Sequence, residues 1–238
     1  MSSNQTCPKA PSAPKGVLPQ TESVPSGTLL TRFRSKPASP ATAYPANSFN
    51  PNTARDWEIA GDGARFNPFP VSSGGNAPTL YAADGYATAA LESVFHDVPH
   101  EMSPEFPRSR ILLWQYVQLR TKRDLWVVML TNPQLRQLRV PRRKESLRED
   151  ELIHTPASQY PRTRTWAKFL HDHILSLDGL AWRPRLGGHG TAYMFFGDRC
   201  NISDFEIVGV PTDLDSPVEY AKIKAVATAS NIRIIDGR

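Results

Sequence analysis

Cysteine is nearly absent from this 238-residue chain: Cys7 and Cys200 are its only two. Two thiols do not make a disulfide framework, so that class is excluded and a reducing compartment is the default. No apolar run approaches the ~20 residues a membrane-spanning helix needs. The opening Met1-Ser2-Ser3-Asn4-Gln5-Thr6 has neither the basic flank nor the apolar stretch of a secretory signal. The expectation is a cytoplasmic protein with no membrane partner. Histidine is sparse as well, with six in all. His96 and His100 share the i, i+4 spacing of a zinc pair, but Pro99 breaks the helix that would align them. His171 and His173 stand two apart, about 200° around a helix, and do not share a ligand site. No metal site is expected. Phosphate loops are missing too: Gly61-Asp62-Gly63-Ala64-Arg65 lacks the strand-before, helix-after context of a dinucleotide fingerprint, and Gly187-Gly188-His189-Gly190 has no Lys-Ser/Thr after it. No Gly-x-Ser-x-Gly occurs.

What the chain does have is enough aromatic bulk for a core, with 5 Trp, 10 Phe and 7 Tyr, and this argues against a disordered chain. Charge is mildly basic, 28 Lys+Arg against 23 Asp+Glu. The densest charge lies at 136–151, where Arg136, Arg139, Arg142, Arg143, Lys144 and Arg148 run into Glu149-Asp150-Glu151. The acids dilute the run and no aromatic is interleaved, so it reads as a solvated face rather than a nucleic-acid interface. Proline is the skewed residue: 22 in all, 9 of them in the first 51 residues. Residues 1–27 carry prolines among Ser, Thr, Ala and Lys with little aliphatic content, which reads as a mobile leader outside a body at 28–238. A proline-rich ligand for a recognition module is the sharper alternative.

Along the body, Leu29–Phe33 reads as a strand, followed by an irregular stretch to about Asp62. Thr79–Ala83 is a strand leading to a helix capped by Asp84 and running to Phe95. Arg110–Leu119 and Asp124–Leu130 read as paired strands around a turn at Thr121-Lys122-Arg123. Trp166, Phe169, Leu170, His173, Ile174 and Leu177 form one helical stripe. Strands follow at Gly179–Trp182, Ala192–Phe196 and Phe205–Val210, then a helix over Val218–Ser230 that leads into Ile232-Arg233-Ile234-Ile235. This order is mixed rather than strictly alternating, so the fold class is α+β: a single domain with mixed or antiparallel sheets and flanking helices.

Generic motifs leave a set of isolated polar residues in apolar company: Arg32 in the first strand, Arg65 in Gly63-Ala64-Arg65-Phe66-Asn67-Pro68, Tyr81 in the strand before the first helix, and Glu92 on that helix. On exposure statistics alone, Glu92 is a solvated helix-face carboxylate and each arginine a surface charge. Their order changes that weighting. Leu29-Leu30-Thr31-Arg32-Phe33, Gly63–Pro68, Leu80–Ala83 running into Ala89-Ala90-Leu91-Glu92, and Asp178–Arg185 followed by Tyr193-Met194-Phe195-Phe196 together resemble the RES domain. The resemblance covers roughly residues 28–200. The family comprises bacterial toxins of toxin–antitoxin pairs that destroy NAD by phosphorolysis or hydrolysis; some members are described as ADP-ribosyltransferases, and the fold is similar to that of ADP-ribosylating toxins.

The resemblance implies that Arg32, Arg65 and Glu92 are catalytic, that Tyr81, Arg183 and Arg185 bind substrate, and that NAD is consumed rather than held as a cofactor. Inorganic phosphate is the candidate co-substrate, and a cognate antitoxin the implied partner. The residue types suit the chemistry. Guanidinium forks bind phosphates bidentately, an aromatic face attracts the cationic nicotinamide ring, and a carboxylate opposes the positive charge that develops on the ribose as the glycosidic bond breaks. One departure stands out. The family's serine falls at Pro184, which supplies neither a hydroxyl nor a backbone N–H. This leaves the acceptor open between phosphate, water and a protein, and keeps a protein ADP-ribosyltransferase and an inactive binding module as alternatives.

Overall fold

Period-two alternation organises the centre of the molecule. In the strand Ala192–Phe196, Ala192, Met194 and Phe196 join one apolar cluster while Tyr193 and Phe195 join another on the opposite face. Gly179–Trp182 sorts the same way, with Leu180 and Trp182 against Ala181. Buried on both faces, these are central strands.

The computed structural model describes residues 6–14, 16–39, 44–53, 55–99, 102–141, 145–184 and 190–236. In chain order the elements are β1 (Glu22–Val24), β2 (Leu29–Ser35), β3 (Thr79–Ala83), α1 (Tyr86–Ser93), β4 (Glu105–Pro107), α2 (Arg108–Ile111), β5 (Trp114–Thr121), β6 (Leu125–Met129), α3 (Glu149–Leu152), α4 (Tyr160–His173), β7 (Gly179–Trp182), β8 (Ala192–Phe196), β9 (Phe205–Asp213), α5 (Pro217–Ala229) and β10 (Arg233–Ile235). Eight strands form one mixed sheet in the order β1-β6-β7-β8-β3-β2-β5-β9, and β10 and β4 make a small parallel pair. Within the large sheet only β6 and β7 are parallel. Their connection carries α3 and α4, as a parallel pair requires a crossover. The fold is a single α+β domain. Among the described residues no helix is long and apolar enough to cross a membrane.

Three features depart from the sequence reading. First, β5 and β6 are not partners: β5 lies between β2 and β9, and β6 between β1 and β7. The short turn between them therefore joins strands far apart in the sheet, where Arg123 forks onto Asp178 at 2.8 and 2.9 Å. Second, α1 is preceded by Gly85 without a side-chain cap, and the Asp84 carboxylate accepts instead from the backbone N–H of Thr191 at 2.8 Å. The α4 stripe also ends early, with Ile174 extended and Leu177 beyond the helix. Third, the described part of the segment expected as a mobile leader, residues 6–14 and 16–27, packs on the body. Glu22–Val24 pairs with β6 as the edge strand, and Cys7 is fully buried. The Trp166 indole N–H donates to Pro8 O at 2.7 Å, and Ala10 N–H to Thr165 Oγ1 at 2.9 Å. Proline removes donors but leaves carbonyls, and α4 uses them. In the charged run at 136–151 the described Arg136, Arg139 and Arg148 are exposed as expected, while Glu151 and the interleaved Leu138, Val140 and Leu147 are buried; Arg142, Arg143 and Lys144 lie outside the described residues.

Candidate functional site

The sheet opens at one seam. β2 matches β5 along its whole length, but it shares with β3 a single matched pair, Thr31 opposite Ala83. Past that pair the residues that would continue the ladder, Phe33 and Ser35 on β2 and Tyr81 and Thr79 on β3, instead line a cleft of about 710 Å³. Its volume lies in the range of small-molecule sites. The cleft's other walls are the loop from Ala60 to Asn67, the end of α1 with Glu92, Ser93 and His96, and Tyr160 and Trp182 from α4 and β7. A smaller chamber of about 250 Å³ shares Arg65, Glu92, His96 and Tyr160 with it.

Arg32, Arg65, Tyr81 and Glu92, which lie far apart in sequence, all line this one cleft. Arg32 donates from Nη1 to Ser48 O at 2.7 Å. Burial, with Arg34 next to it, lowers its pKa from the ordinary arginine value to about 10. Arg34 stands two residues on and so shares a face of β2; it donates to Gln115 Oε1 and Tyr44 O. Sequence reasoning passed over Arg34, although i, i+2 spacing on a strand was the available signal. Arg65 is only 7% exposed, its Nε is buried without a hydrogen-bond partner, and its guanidinium lies 5.5 Å over the Tyr160 ring. Among the described residues no carboxylate lies within ion-pair distance of Arg32, Arg34 or Arg65. Buried cations are normally paired, and this wall of the cleft carries positive charge that no carboxylate among the described residues offsets within ion-pair distance.

The opposite character gathers at the end of α1. Glu92 Oε2 accepts from the Trp182 indole N–H at 3.3 Å, which fixes the carboxylate without neutralising it. The Tyr81 hydroxyl donates a short hydrogen bond to Asn67 Oδ1, and the ring meets Trp182 edge-on with centroids 6.1 Å apart. Burial pushes the phenol above its ordinary pKa, so it remains a neutral donor. Asn67 is held in turn by donating to Asn52 Oδ1 at 3.0 Å. Trp182, Asn67 and Asn52 are thus supports that no generic motif marks. His96, read only as a rejected metal ligand, also lines the cleft, 2.9 Å from Asp97; His100 lies outside the described residues.

The last expected motif divides. Trp182 belongs to the site, whereas Arg183 is exposed and does not line the cleft. Chain direction explains this, since successive residues at the end of β7 point to opposite sides. Arg185 lies outside the described residues, and Pro184 is buried away from the cleft lining. Among the described residues the serines that line the cleft are Ser35 and Ser93.

A search of protein families matches the RES domain over residues 33–215. That span holds Arg65, Tyr81, Glu92 and Trp182 and begins one residue after Arg32. No curated protein matches the chain.

Proposed function

The chain belongs to the RES domain family, and from that membership we propose that its cleft binds NAD and cleaves the nicotinamide–ribose bond, as a toxin would that depletes the cell of NAD. The observation that carries this reading is Arg65: a buried guanidinium without an ion-pair partner among the described residues, in the same cleft as the Glu92 carboxylate. A substrate that carries a pyrophosphate and, one ribose away, a cationic ring matches both.

In this reading Arg32, Arg65 and the newly placed Arg34 hold the pyrophosphate. Tyr81 presents its ring to the nicotinamide, and Glu92 faces the ribose. The C–N bond breaks with its electron pair leaving on the pyridine nitrogen, so nicotinamide departs neutral and no strong general acid is needed. The positive charge moves to the ribose, where a fixed carboxylate stabilises it. An acceptor oxygen then bonds to the ribose carbon and loses its proton. Water gives ADP-ribose, inorganic phosphate gives the ADP-ribose phosphate ester, and a protein side chain gives an ADP-ribosylated target. Arg183 has no part in this reading, because it stands outside the cleft. A neutralising antitoxin belongs with it as the partner that would keep a producing cell alive.

NAD labelled in its adenylate half separates these outcomes. Free labelled ADP-ribose or its phosphate, with one nicotinamide released per NAD lost, supports degradation, and label retained on a protein band supports transfer. NAD left intact with and without phosphate excludes both.

A further inference from the structure

The buried polar residue with the most interactions near the cleft is not in it. Arg164 on α4 is fully buried, yet among the described residues no carboxylate lies within ion-pair distance of it. Its guanidinium is spent on backbone carbonyls of one loop: Nε donates to Ala64 O at 3.0 Å, Nη1 to Trp57 O at 2.9 Å and to Ile59 O at 2.8 Å, and Nη2 reaches Ala60 O at 3.5 Å. The preceding residue, Thr163, donates a short hydrogen bond from Oγ1 to Arg65 O, and one turn earlier the Tyr160 ring lies beneath the Arg65 guanidinium. Tyr160, Thr163 and Arg164 stand at i, i+3 and i+4, so one helix face grips the segment 57–65. Burial lowers the Arg164 pKa, so its charge is tolerated there through the carbonyls it satisfies.

We propose that this turn of α4 is a clamp that sets the Arg65 guanidinium in the cleft, with Thr163 and Arg164 as positioning residues for the anion site. The inference deepens the reading of the cleft as an NAD site and rests on it for the identity of the anion. Arg65 is rooted in a loop with no ladder of its own beyond an isolated bridge between Ala64 and Asn67. What holds its backbone is therefore the α4 face. An arginine is required because one planar fork reaches several carbonyls at once, whereas a lysine ammonium is a single point donor. Thr163 and Arg164 touch the loop and not the cleft, since neither lines it. Their loss should therefore weaken ligand binding while leaving the reacting groups in place.

The test uses the full chain and three variants, Arg164→Lys, Thr163→Val and Thr163→Ser, with inorganic pyrophosphate as the binding probe and NAD as substrate. Arg164→Lys and Thr163→Val are expected to raise KM for NAD and weaken pyrophosphate about tenfold or more, with kcat within about threefold, the pattern of lost uniform binding. Thr163→Ser, which keeps the hydroxyl, is expected to stay near wild type. Amide exchange across 57–65 should quicken in the first two variants and not in the third. Should Arg164→Lys fail to fold, the Thr163 pair decides alone, because Val keeps the shape and Ser keeps the bond. Unchanged pyrophosphate affinity and KM in a variant that only melts earlier would overturn the clamp, as would a wild type that binds no pyrophosphate. If wild type binds pyrophosphate and the variants lose it while NAD stays intact, the clamp stands and the NAD reading falls.

Discussion

Glu92 occupies the last turn of α1, where the unpaired helix carbonyls already concentrate negative potential. Its only partner among the hydrogen bonds of the described residues is the Trp182 indole, a neutral donor. The carboxylate is therefore steered but not satisfied, and a cation developing next to it gains from both the charge and the helix end. The arginines across the cleft are in the mirror situation. Arg32 keeps its proton at neutral pH, but burial and its neighbour Arg34 hold its pKa at about 10. Raising pH through that value removes a cation from the anion site, so pyrophosphate affinity should fall between about pH 9 and 11. A titration by calorimetry checks this; flat affinity over that window would mean that Arg32 does not contact the anion. These residues were legible only in part. Arg32, Arg65, Tyr81 and Glu92 emerged because a family pattern ties them together. Arg34 and Trp182 did not, because a charged residue on a strand and a tryptophan in an apolar run look like surface and core until their directions are known.

At the level of elements, the cleft exists because β2 and β3 part after one matched pair, and because the loop 57–65 is pulled onto α4 rather than left to solvent. Gly63 makes the second possible. Its φ of +142° belongs to a region that side chains rarely enter, and an added Cβ would lie 2.4 Å from Pro68 Cδ and 2.5 Å from Asn67 O. Gly63→Ala should therefore displace the start of the Arg65 loop, with a strain cost of about 1–3 kcal/mol and roughly tenfold weaker pyrophosphate binding. Thermal melts and calorimetry on the variant check the two effects, and wild-type values in both would refute this role. Strand identities were largely readable, since short apolar and aromatic runs specify them locally: β3, β7 and β8 fall where the pattern places them. Pairing was not. The short turn at Thr121-Lys122-Arg123 looks like a hairpin, but the burial of β6 beside β7 and of β5 beside β2 decides partners that no local signal records.

On the scale of the whole molecule, the described N-terminal residues, 6–14 and 16–27, are part of the body. Composition predicted a loose leader because proline and small polar residues bury little surface on their own. Here they bury it against something already built: Cys7 and Pro8 cover α4, and β1 closes the sheet at β6. Removing residues 1–25 would leave the Trp166 indole N–H without its acceptor and expose the β6 edge. An unpaired buried donor alone costs about 1–3 kcal/mol, and about 2–4 °C of melting temperature goes with each kcal/mol in a domain of this size. A truncated chain is therefore expected to melt at least about 2 °C lower, as calorimetry would show; an unchanged melting temperature would restore the leader. Helix α4 takes up the N-terminal segment through Thr165 and Trp166 and holds the Arg65 loop through Thr163 and Arg164 on another of its faces, so the cleft depends on packing at its back. The most direct test of the central claim is nicotinamide released from NAD by the intact chain, followed by chromatography, beside Glu92→Gln. The account predicts release by wild type and a rate lower by about 10²–10³ in the variant, the usual effect of removing one electrostatic stabiliser. No release by wild type, or equal release by both, would contradict it.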